Sequence, residues 1–87
     1  MATTYYRTDR LIAVRSRIET AVEVRTYTAA ASAAEARTLS RPLALAAVFP
    51  KQDAEIIGLE TVIDVPGVTT PRAPEILKNG RWSPISD

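Results

Sequence analysis

From Ile12 to Thr28 the chain alternates with period two. Ile12, Val14, Ile18, Val22 and Val24 occupy one parity, and Arg15, Arg17, Glu19, Glu23 and Arg25 occupy the other. Such alternation predicts half-buried strand, with the apolar face inward and the charged face outward. The run is too long for one ordinary strand, so the chain must turn. Two places are candidates: Asp9-Arg10, before the run, and Glu19-Thr20-Ala21, within it. No Gly, Pro or Asn marks either. The expectation is a turn near residues 19–21, joining strands at roughly Leu11–Ile18 and Ala21–Thr28.

The second strand leads almost directly into a helix. Ser32 and Glu35 stand in the S-x-x-E spacing of a capping box. The serine hydroxyl can accept from the Glu35 amide, while the Glu35 carboxylate can reach back to the Ser32 amide. Good helix formers then run from Ala33 to about Val48, where Phe49-Pro50 ends the element. Ala36, Leu39, Leu43 and Ala46 or Ala47 recur at helical spacing and form the expected core stripe. Pro42 lacks a backbone donor and crowds the carbonyl four residues back, so a kink or break is expected there.

Ala54 to Val65 is apolar on both parities. Ile57, Leu59, Ile63 and Val65 share one face, and Ile56 and Val62 the other, which predicts a central strand. Gly58 suggests a bulge or a close helix approach. Pro66-Gly67 turns the chain, and Val68–Pro74 reads as extended loop. Residues 75–85 then form a hairpin around Asn79-Gly80, the pair that suits a type I′ turn, with Pro84 placing the last strand at a sheet edge. The expected fold is a single α+β domain over residues 1–87. One helix, broken near Pro42, packs on an antiparallel sheet of four or five strands.

Composition narrows the chemistry. The 87 residues include no cysteine and no histidine, which removes disulfides, thiolate metal sites and the usual general base. No apolar run is long enough to span a bilayer, and the opening Met1–Tyr5 shows no basic, apolar signal pattern. A cytoplasmic protein without cofactor or metal is expected. Ser32 serves better as a helix cap than as a nucleophile. Asp53 and Glu55 could converge, but they suit a solvated strand start better than a catalytic pair. The three glycines form no phosphate loop. The expectation is therefore a non-enzyme.

The formal net charge is only +1, which suits neither a polyanion mimic nor a typical nucleic-acid binder. Charge is uneven along the chain. Residues 1–49 hold seven arginines against four acids, and residues 50–87 hold four bases against six acids. Arg15, Arg17 and Arg25, with Tyr27 on the same parity, are the candidate partner-binding residues. Arginine beside an aromatic is the composition of interface hot spots, and also of single-strand nucleic-acid platforms. Glu19 and Glu23 interleave with these arginines, so cross-strand ion pairing on a solvated face is the first reading, a protein interface the second and nucleic acid the third. Trp82 reads as a core or edge cover.

The order of motifs resembles that of small phage-encoded anti-CRISPR proteins that inhibit type I systems. The resemblance rests on Ala30-Ala31-Ser32 at the helix start, Ala36-Arg37 within the helix, Leu59-Glu60-Thr61-Val62 in a later strand, and Asn79-Gly80-Arg81-Trp82 in the terminal hairpin. It runs with gaps from near Leu11 to Trp82. It implies an inhibitor that binds the crRNA-guided surveillance complex (Cascade), for instance through Cas7 backbone subunits, and blocks target DNA pairing. The chain departs from that pattern at its extended N-terminus, at Pro42 and at the insertion Pro66–Pro74, and no contact residue is carried across. Two other expectations stand beside it: a self-associating phage accessory or structural protein, and a small nucleic-acid-binding regulator. The expected state is a monomer or a homodimer.

Overall fold

The computed structural model describes residues 4–85. Met1–Thr3, part of the segment inspected for a signal sequence, lies outside the described residues. The elements are β1 (Thr4–Val14), β2 (Arg17–Ala30), α1 (Ala33–Val48), β3 (Ala54–Asp64), β4 (Glu75–Lys78) and β5 (Arg81–Pro84). The strands form one antiparallel sheet in the order β3-β1-β2-β4-β5, and α1 packs on one face of it. The α+β class and the single helix on an antiparallel sheet agree with the expectation.

The first turn falls elsewhere than residues 19–21. Val14 pairs with Arg17, so Arg15-Ser16 forms the turn. The register then jumps: Ile12 pairs with Val22, which leaves three extra residues of β2 bulged around Thr20. The Thr20 hydroxyl holds the bulge, accepting from the Val14 amide at 2.8 Å and donating to the Arg17 carbonyl at 2.6 Å. The Glu19-Thr20-Ala21 segment is thus irregular, but it bends the strand and does not reverse it. Asp9 and Arg10 lie well inside β1, as do Tyr5 and Tyr6, both half-buried.

The Ser32 half of the capping box forms as expected, but the return bond from Glu35 goes to the amide of Ala31, one residue before the expected Ser32. Ser32 Oγ accepts from the Glu35 amide at 3.2 Å, and Glu35 Oε1 accepts from the Ala31 amide at 3.4 Å. No break occurs at Pro42, because α1 runs on through it. The reason is its position. Pro42 and Thr38, whose carbonyl loses its helical donor, are both exposed, so water can serve that carbonyl. The core stripe also differs from the expected one. Ala36, Ser40 and Ala44 face the sheet, while Leu39 and Leu43 are 46% and 54% exposed. Small residues face inward because a large polar side chain, Arg10, fills the space beneath them.

Arg10 projects from the centre of β1 and is fully buried. Its guanidinium donates to Ser40 Oγ (2.8 Å), the Arg37 carbonyl (2.6 Å) and Glu60 Oε2 (3.2 Å). Glu60 also accepts a bidentate pair from Arg41 at 2.8 and 3.2 Å. Burial pulls the Arg10 guanidinium below its usual pKa, and the bond to Glu60 opposes that pull. Hydrogen bonds from Arg41 hold the Glu60 carboxyl below its usual range, with Arg10 adding to the effect. The cluster ties helix, central strand and edge strand together. The apolar core is correspondingly small: Ile12, Val24 and Ala44, flanked by Val22, Leu45, Val48, Phe49, Ile56 and Ile85.

β3 lies at the sheet edge and is not the central strand its two apolar parities suggested. Against β1 its register slips twice, leaving Ile57 and Glu60 as extra residues. Ile56, Leu59 and Val62, three apart, therefore pair with Ile12, Arg10 and Thr8 on the same face. The expected grouping of Ile57, Leu59 and Ile63 is undone by these bulges. Leu59 and Glu60 both adopt left-handed φ, 70° and 64°. Such conformations cost about 1–2 kcal/mol each outside glycine, and the ion pairs of Glu60 offset that cost. The final hairpin forms as expected, with φ of 52° at Asn79 and 76° at Gly80, and β5 at the other edge.

Candidate protein-interaction face

Cross-strand partners share a face of the sheet, so the pairing register sorts every residue. One face lies under α1. The other, here the outer face, has no helix or strand packed on it among the described residues, though Arg72 from the β3–β4 loop lies over it, and it carries the odd-numbered residues of β1 and the later part of β2. Across it run Arg7, Asp9, Arg25, Tyr27, Glu75 and Trp82.

These side chains hold one another. Arg25 donates to both oxygens of Asp9 at 3.0 and 3.3 Å, and its guanidinium carbon lies 3.8 Å from the Trp82 ring centroid. Arg7 Nε stands 3.6 Å from the same Asp9, which is ion-pair range but too long for a hydrogen bond, and that nitrogen has no hydrogen-bond partner. Tyr27 donates its hydroxyl to Glu75 at 3.1 Å, and Arg72 from the preceding loop sits 4.6 Å over the tyrosine ring and 3.8 Å from Glu75. The result is two linked clusters, each combining an acid, an arginine and an aromatic ring. Each cluster pairs one arginine with one acid, Arg7 adds one positive charge beyond that balance, and the rings are fixed by their neighbours.

The four candidate residues thus divide. Arg25 and Tyr27 sit half-buried on the outer face, inside those clusters. Arg15 and Arg17 sit exposed at the tip of the β1–β2 hairpin. Arg15 joins Asp53 (3.0 Å) and Glu55 (2.6 Å), and its amide donates to the Asp53 carbonyl. Asp53 and Glu55 do converge, but on an arginine. Arg17 meets Glu19 at 3.2 Å, two residues along its own strand. Exposed pairs of this kind contribute little to stability, about 0–1 kcal/mol.

Sequence reasoning missed Asp9, Glu75 and Arg72 as members of this face and treated Trp82 apart from Arg25. The obstacle was register. Asp9 meets Arg25 only because of the bulge around Thr20, and alternation reports parity but not the number of residues a bulge absorbs. Among the described residues no group of acids is placed to hold a metal ion, and no helix is long and apolar enough to cross a membrane. Set against known proteins, the chain matches no family model, no curated protein and no solved structure.

Proposed function

We propose that the chain is a non-catalytic protein-binding module that docks through the outer face of its sheet. One observation carries this reading: Arg25, Trp82, Tyr27 and Arg72 form prearranged, charge-compensated aromatic clusters on the sheet face opposite the helix. Rigid aromatic and arginine side chains are the commonest hot-spot residues, and fixing them beforehand lowers the entropy lost on association. Neutralisation within each cluster favours docking by shape over attraction to a phosphate chain.

The motif resemblance supplies the partner in this proposal, the crRNA-guided surveillance complex of a type I CRISPR system. Binding there would occlude the surface on which target DNA pairs with the guide. Arg25 and Tyr27 belong to the docking surface, and Arg15 and Arg17 lie at its end. Ala29, exposed and paired with Tyr5 on the outer face, offers a clean test. Ala29→Arg adds bulk without touching the core. It should weaken capture by purified type I surveillance complexes at least about tenfold, roughly 1.4 kcal/mol, with the circular dichroism spectrum unchanged. Equal capture of the variant and the parent would remove the outer face as the docking surface. If the parent binds none of the type I complexes, the proposed partner is wrong.

A further inference from the structure

The helix covers only part of the sheet. α1 packs on β2, β3 and β1, and β4 and β5 lie outside its main packing. Val24, fully buried beneath the helix, pairs with Ile76, and Ile76 pairs with Ser83, so both lie on the inner face. Lys78 is two residues from Ile76 and pairs with Arg81, which puts this pair on the same face at the turn end of the hairpin. The inner side of β4–β5 is a ledge beside the helix.

The helix flank above the ledge is apolar. Arg41 reaches Glu60 on β3, so its side of α1 faces that edge. Leu39 and Leu43 each stand two residues from Arg41, about 200° round the helix. They therefore face the β2–β4 side, and both are about half exposed. The far end of the ledge is basic. Lys78 and Arg81 are exposed, and among the described residues neither enters an ion pair; Arg37 and Lys51 share this, while the other seven basic residues are paired. Like charges directly opposite across two strands repel. A carboxylate placed between them would turn that repulsion into attraction.

We propose that this ledge is a second docking site, taking an acidic amphipathic helix of a partner protein. Apolar residues of that helix, at i and i+4, would lie against Leu39, Leu43 and Ile76, with Asp or Glu reaching Lys78 and Arg81. A second copy of this chain is a poor occupant, because the one acid of its helix, Glu35, is already bonded at the helix start and could not reach the two bases. Nucleic acid is also poorly served. The flank is aliphatic, and the aromatic rings of Trp82 and Tyr27 lie on the opposite face with Arg25 and Arg72 already over them.

The test uses the full chain, labelled with 15N, and three probes. One is a 15-residue helix-forming peptide with leucine at helical spacing and glutamate on its flanks. The second carries lysine in place of every glutamate. The third is a dT12 oligonucleotide. The acidic peptide should shift the amide signals of Leu39, Leu43, Ile76, Lys78 and Arg81, and bind at least about tenfold more tightly than the basic one. The double variant Lys78→Glu, Arg81→Glu should reverse the preference. Equal affinity for the two peptides, shifts confined to the outer face, or tighter binding of dT12 on the ledge would each overturn the proposal. Surveillance-complex capture by the same double variant reports separately on the outer face, which neither residue touches.

Discussion

The helix with β1 and β3, and the small β4–β5 hairpin, are held by different means. In the first region a buried guanidinium and a twice-paired carboxylate join three elements whose residues are up to 50 positions apart in sequence. The second is a local hairpin, joined to the rest through two pairs, Val24 with Ile76 and Arg25 with Glu75, through Trp82 lying on Arg25, through the Tyr27–Glu75 hydrogen bond and through Ile85 against the core. One region is defined by long-range polar chemistry that no local pattern announces. The other forms from its own turn chemistry and is fastened lightly. A small domain with a short apolar core can therefore keep its body rigid while a peripheral hairpin opens at lower cost.

The sharpest way to break this contrast is to remove the guanidinium. Arg10→Ala leaves Glu60 and Ser40 with lost partners and a void beneath Ala36 and Ala44. Glu60 keeps its pair with Arg41, so the cost lies in the cavity and the unpaired Ser40 and Arg37 groups, about 3–5 kcal/mol, enough to unfold much of a marginal domain. Urea unfolding followed by circular dichroism should show a large fall in midpoint or no folded baseline. A variant as stable as the parent would mean the cluster is not the fastening of the body.

A smaller effect sharpens the same point through pH. The Glu60 carboxyl is held below its usual range in the folded protein, while in the unfolded chain it titrates near the ordinary value of about 4.3. Its contribution is therefore complete above that value and is lost as pH falls through the lowered folded value. Glu60→Gln should be less stable than the parent by about 1.5–3 kcal/mol at pH 7. The difference should stay flat down to about pH 5 and shrink below it. A gap in urea midpoints that does not change with pH would exclude the charge of Glu60 as its source.

The hairpin calls for a local readout. Trp82→Ala removes a half-buried ring and its contact with Arg25, about 2 kcal/mol from lost burial and cation–π attraction together. Hydrogen exchange should quicken at the amides of β4 and β5, while those at the centre of β1 keep their protection. Uniform acceleration across the sheet would show that the hairpin is an integral part of the body.

Legibility in the sequence followed the same division. The helix cap at Ser32 and the Asn79-Gly80 turn are short-range devices, and both stand where spacing put them. Arg10 stands beside a possible turn in the sequence, and nothing local tells that a strand arginine is buried under a helix thirty residues later. Its burial in turn selected Ala36, Ser40 and Ala44 over Leu39 and Leu43 as the inward stripe. The intrinsic cost of Pro42 argues for a break, but its solvated position makes that cost bearable. Arg25 and Tyr27 were legible as an exposed-parity pair. Their partners Asp9, Trp82 and Glu75 were not, because those meetings depend on register and on a crossover between β3 and β4.

The bulges in β3 carry a consequence for how this chain can change length. Ile57 and Glu60 are each one residue beyond what the facing strand requires. Deleting Ile57 would leave Ile56 opposite Ile12 and Gly58 opposite Leu11, straightening the strand without turning any neighbour to the wrong side. The same deletion at the middle of β1 would invert every side chain beyond it, since a one-residue slip exchanges the two faces. Variation in length is therefore tolerable at Ile57 and ruinous a few ångströms away. Glu60 is the exception within β3: its extra residue is itself the ion-pair partner, so the chain cannot shed that position without unfastening the helix.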